Sequence, residues 1–121
     1  MQTEQLRELV RDALEGIKAR EITEIDVRGK SSVTDYMIIA SGTSKRHVIS
    51  VAQEVIDKVK AAGLRPVGIE GQTVGDWILV DLGDLIVHVM MPDARSFYDL
   101  ERLWQMDAEA AEEAELAQDG R

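Results

Sequence analysis

The segment "DWILVDLGDLIVHVMMP", residues 76–92, constrains this chain more than any other. Two apolar runs, 77–82 and 85–91, flank Gly83-Asp84, a two-residue link of the Gly-x kind that suits a type II′ hairpin. With that turn, position 82 faces 85, 81 faces 86, 80 faces 87 and 79 faces 88. Side chains alternate along a strand, so one face collects Ile78, Val80, Leu82, Leu85, Val87 and Val89, wholly apolar and fit only for a core. The other collects Trp77, Leu79, Asp81, Ile86, His88 and Met90. On it Asp81 and His88 are diagonal neighbours whose side chains can meet. Three readings of that second face stay open. His88 is a core histidine satisfied by Asp81, with Trp77 covering the sheet edge. Or the pair is catalytic, although spacing sets no serine, lysine or second carboxylate beside it. Or the face is a contact surface, part apolar and part acidic.

The hairpin needs partners, and the rest of the chain supplies them. Leu6, Leu9, Val10, Ala13, Leu14 and Ile17 form one helical stripe that Thr3 can cap. In "EITEIDVRG", Thr23, Ile25 and Val27 alternate with Glu24 and Asp26, giving a strand with one wet face. "YMIIASG" is a continuous apolar run suited to a strand covered on both faces. Ser44 can cap a second helix through Val48, Val51, Ala52, Val55, Ile56 and Val59, which Gly63 ends. Its valines are poor helix formers, so packing must hold it. Pro66 marks the next short strand as an edge or a strand start. Residues 93–104 read as one or two short helices. The order αββαβββα predicts an α/β fold: a mixed five-stranded sheet flanked by helices.

At 121 residues the chain has room for one domain, placed at residues 1–106, with an acidic Ala/Glu-rich tail at 107–121. There is no cysteine, which excludes disulfides and thiolate metal sites, and two histidines make a histidine-based metal site improbable. The polar start "MQTEQLRELV" does not resemble a signal peptide, and no apolar run is long enough to span a bilayer, so the expected location is the cytoplasm. The formal net charge is −9, and residues 70–101 hold seven acids against one base, Arg95. Such a surface repels phosphates and steers cationic partners, which disfavours direct nucleic-acid binding. It fits equally an acidic inhibitor of some basic protein.

Only five residues are aromatic, and three of them (Phe97, Tyr98, Trp104) fall within "RSFYDLERLW", residues 95–104. If this is one helix, Phe97, Leu100 and Trp104 lie on one stripe that packs inward. Tyr98 and Glu101 then share another face one turn apart, presented outward with Asp99.

An enzymatic reading starts from "IIASGTSKRHV", a strand, a Gly/Ser turn and a helix N-terminus of the kind that holds phosphate in nucleotidyltransferases. Those enzymes also need two carboxylates on a following strand to hold Mg²⁺. Here a helix follows, and Asp81 and Asp84 are split by a turn. Ser44 as an ordinary cap explains the same residues.

Together, "SSVTDYMIIASGTSKRHV", Glu70-Gly71, "DWILVDLGDLIVHV" and "RSFYDLERLW" resemble, in order and spacing, the ribosomal silencing factor family (RsfS, or Iojap), over about residues 5–106. The most specific parts are Trp77 with Asp81 and His88, and the 97–104 ending. The resemblance implies a fold related to nucleotidyltransferases without their catalytic carboxylates, and a protein that is not an enzyme and needs neither cofactor nor metal. It implies a translational repressor that binds ribosomal protein L-fourteen on the large ribosomal subunit and blocks joining with the small subunit when nutrients are scarce. It also implies a homodimer when free. On this reading Trp77 and Tyr98 are the anchors, Asp81, Asp99 and Glu101 pair with basic partner residues, and His88 and Trp104 complete the partner-binding set. The alternative is a nucleotide-binding, nucleotidyltransferase-like enzyme.

Overall fold

The structure, a computed structural model, describes residues 1–102. Its elements run α1 (Thr3–Gly16), β1 (Arg20–Asp26), β2 (Tyr36–Ser41), α2 (Lys45–Ala61), β3 (Gly68–Glu70), β4 (Trp77–Asp81), β5 (Leu85–Met90) and α3 (Pro92–Tyr98). The strands form one sheet in the order β1-β2-β5-β4-β3, with β2 and β5 parallel and every other pair antiparallel. This is the expected mixed five-stranded α/β sheet.

The hairpin has the register that its turn predicts, from Trp77 opposite Met90 to Asp81 opposite Ile86. Gly83 has φ +90°, the left-handed region that a II′ turn demands at this position. The Leu82 N–H donates to the Leu85 carbonyl at 2.8 Å, pairing the two strands right beside the turn. Burial fixes the register as firmly as the turn does. Ile78, Val80, Val87 and Val89 are all fully buried, and a one-residue slip would turn each of them away from the core. Each is worth about 1.5–3 kcal/mol of burial.

Two apolar clusters lie on the two faces of the sheet. The larger joins Leu6, Val10 and Leu14 of α1 and Val48, Val51, Val55 and Val59 of α2 to the inward face of β2, β4 and β5. Packing thus compensates the low helix propensity of the α2 valines, and Ser44 caps that helix by accepting the His47 N–H at 3.1 Å. The smaller cluster, Ile25, Val27, Met37, Ile39 and Met90, lies on the other face, with Trp77, Ala94 and Leu100 packed against it. All six residues of β2 are buried, as a strand covered on both faces requires.

Two local expectations fail. Thr3 does not cap α1: Gln2 is the cap residue, its N–H donating to Gln5 Oε1 at 3.2 Å, while Thr3 Oγ1 donates to Asp84 Oδ2 at 3.0 Å. The expected wet face of β1 is also wrong at Glu24, because α1 packs across it. Arg7 and Arg11 both bind the Glu24 carboxylate, Arg11 at 2.7 Å, and leave it 17% exposed. Burial pushes that carboxyl up, but the Arg7 hydrogen bond and the two charges outweigh it and hold it below its usual range.

Candidate functional site

Hairpin geometry puts Trp77 and His88 on the second face of the sheet as diagonal neighbours, Trp77 lying opposite Met90, two residues beyond His88. The Trp77 indole N–H donates to His88 Nδ1 at 3.0 Å. His88 therefore takes its neutral form with the proton on Nε2, an atom that is buried and has no hydrogen-bond partner among the described residues. Burial pushes its pKa down to about 4. Asp81 does not meet His88. Its Oδ1 instead accepts the Gly83 N–H at 2.9 Å, which stiffens the hairpin turn. The expected Asp81–His88 pair is corrected to a Trp77–His88 pair, because the indole donor reaches the imidazole first and the turn claims the carboxylate.

Tyr98, at the end of α3, brings its ring to 4.7 Å from that of Trp77, tilted by 48°. Phe97 stands edge-on to Tyr98 at 5.1 Å. Both spacings lie within the range of favourable aromatic pairs. Tyr98 is 51% exposed, as expected, but Phe97 is 82% exposed and is not a core residue. The reason is the backbone at Asp99, which takes the left-handed conformation, φ +49°, and ends α3. A break there destroys the uniform spacing on which the inward stripe of Phe97, Leu100 and Trp104 depended. Leu100 does pack inward, while Trp104 lies outside the described residues, as does the whole 107–121 tail.

The same break separates Tyr98 from Glu101. Glu101 turns back to Arg95, whose guanidinium holds its carboxyl below the usual range. Glu101 is thus no free acid beside Tyr98. Arg95 is 8% exposed, an interior arginine that sequence reasoning treated only as a lone base among acids. That isolation was the signal that could have marked it: a single cation inside a long acidic stretch suits an internal partner better than a charged surface.

Several donors around the Gly42–Ser44 turn are engaged within the chain. The Gly42 N–H donates to the Met90 carbonyl at 3.1 Å, the Thr43 N–H to His47 Nδ1 at 2.9 Å, and the His47 N–H to Ser44 Oγ. The chain itself thus occupies two donors of the turn and one, the His47 N–H, of the helix's first turn. What the structure brings together is an exposed aromatic strip of Phe97, Tyr98 and half-buried Trp77, flanked by Asp93 and Asp99. Such a strip can seat a cationic or amphipathic protein surface.

Known proteins share this architecture and sequence. The family described as "Ribosomal silencing factor during starvation" matches over residues 1–121. A Haemophilus influenzae protein named ribosomal silencing factor RsfS is 50% identical over 99 residues, covering 82% of this chain and 97% of its own. The mouse protein "Mitochondrial assembly of ribosomal large subunit protein 1" is 38% identical over 91 residues, covering 73% of this chain and 40% of its own. A crystal structure of a Chromobacterium violaceum protein superposes with a TM-score of 0.85 at 44% identity, covering 87% of this chain and 88% of that one.

Proposed function

From its membership of the ribosomal silencing factor family, to which this chain belongs, we propose that it represses translation by seating the Phe97–Tyr98–Trp77 strip on the large ribosomal subunit. The docking partner in this reading is ribosomal protein L-fourteen. Occupying that surface keeps the small subunit from joining, chiefly when nutrients are limiting. The action is steric and regulatory, so no group need be poised for chemistry.

One observation carries the reading: two neighbouring aromatic rings, 82% and 51% exposed, meet edge-on, and the second lies tilted against Trp77. Exposed aromatics of this kind are hot-spot material, costly to leave in water and valuable once a partner excludes it. Asp93 and Asp99 beside them complement a basic protein. The name of the mouse relative, which concerns the large subunit, fits the same target.

The test is co-sedimentation of the full chain with isolated large and small subunits, together with a subunit-joining assay. Pelleting with the large subunit alone and reduced joining are expected. Tyr98→Ala should lose about 2 kcal/mol of binding, roughly thirtyfold, with the fold intact. Binding to neither subunit would overturn the reading, and unchanged binding by the variant would move the interface elsewhere.

A further inference from the structure

Apolar packing holds Trp77 but gives little to α3, which carries Phe97 and Tyr98. α3 has seven residues, too few to be stable alone, and among the described residues of this segment only Ala94 and, past its end, Leu100 join the apolar cluster beneath. The fastening is Arg95. Its Nη1 donates to Ser41 Oγ at 2.9 Å, its Nη2 to Thr23 Oγ1 at 3.1 Å and its Nε to Glu101 Oε1 at 2.5 Å. Those acceptors come from β2, β1 and the segment beyond Asp99, so one side chain ties α3 to two strands and to the chain on the far side of the turn.

We propose that Arg95 is the positioning residue of the partner-binding surface, clamping both sides of the left-handed turn at Asp99 and so setting Tyr98 against Trp77 with Phe97 outward. This rests on the reading that the strip meets the large subunit. The geometry suits arginine alone: a planar fork offers donors in fixed, divergent directions, whereas a lysine ammonium cannot reach three acceptors on three segments. Position argues the same way. A cation this buried and neutralised by Glu101 adds little to solubility or long-range steering, and once buried it must keep its partners. Glu101 follows from this: its carboxylate is committed to Arg95, so its role is to complete the clamp rather than to pair with the partner.

The experiment is a double-mutant cycle in the full chain, read by large-subunit binding, by thermal melting and by the Trp77 indole N–H resonance, assigned with Trp77→Phe. Arg95→Lys and Arg95→Met should each weaken binding about tenfold. In a Tyr98→Ala background the same changes should cost less than about twofold, while the fall in melting midpoint is the same in both backgrounds. Equal binding losses in the two backgrounds, or none in either, would overturn the proposal. The indole resonance of Arg95→Lys should move toward its position in Tyr98→Ala, and a resonance that stays put would overturn the proposal even if wild type binds no subunit. In that last case the functional reading alone would fail, and the resonance alone would decide the role of Arg95. Should Arg95→Met not fold, Ser41→Ala removes a single acceptor and is judged by the same criteria.

Discussion

At the scale of the residue, His88 shows what alternation alone can and cannot say. Its face, its neighbours and its place opposite Leu79 follow from the hairpin register. Its partner does not, because a choice between the Asp81 carboxylate and the Trp77 indole depends on side-chain reach and on the turn's own claim to Asp81. The consequence is measurable. The folded pKa is about 4, against the ordinary 6.5 of the unfolded chain. Between those values the unfolded state binds the extra proton, so stability falls as pH drops from 6.5 toward 4 and is level above that window. Urea unfolding should therefore show wild type losing about 1 kcal/mol between about pH 7 and 5.5. His88→Asn offers an amide oxygen in place of Nδ1 and does not titrate, so it should lose almost none over that interval.

At the scale of the element, the long periodic segments were readable and the special backbone positions were not. The helical stripe of α2 and the pairing of β4 with β5 rest on many side chains that all favour one arrangement. The end of α3 rests on one residue, Asp99, whose left-handed φ no periodicity reveals, and the misplacement of Phe97 and Glu101 follows from it. Glu70-Gly71 belongs to the same class. Gly71 has φ +87°, and a Cβ there would lie 2.0 Å from the Trp77 carbonyl oxygen. Gly71→Ala should thus cost about 2 kcal/mol or more by thermal melting. Because the backbone it displaces carries Trp77, it should also weaken subunit binding beyond what an equally destabilising core substitution does. Equal binding losses would show that the loop does not reach the strip.

At the scale of the whole molecule, charge was legible as a total but not as a distribution of roles. Of the acids between 70 and 101, Asp81 caps a turn, Asp84 accepts from Thr3, Asp76 lies 3.4 Å from Lys45, and Glu101 holds Arg95. Structural duties thus take a good share of what composition suggests is a docking charge. The remainder, with the net −9, should act on encounter rather than on holding. Raising salt from about 50 to 500 mM is expected to slow association with the large subunit on the order of tenfold, with little change in dissociation, by stopped-flow or surface kinetics. A dissociation rate that rose instead would place ion pairs at the buried centre. The topology has a separate consequence, for how the chain comes off its own ribosome. The interior strand β2 pairs in parallel with the central strand β5, whose residues are made some forty-nine positions later, Tyr36 lying opposite Leu85. Until the β4–β5 hairpin emerges, β2 has only β1 beside it and its apolar faces stay partly bare. Non-local pairing of this kind makes folding slow and exposes the nascent chain to aggregation. The last hairpin made is the piece that closes the sheet, so synthesis interrupted before Leu85 yields a fragment that lacks the strand joining β2 to β4.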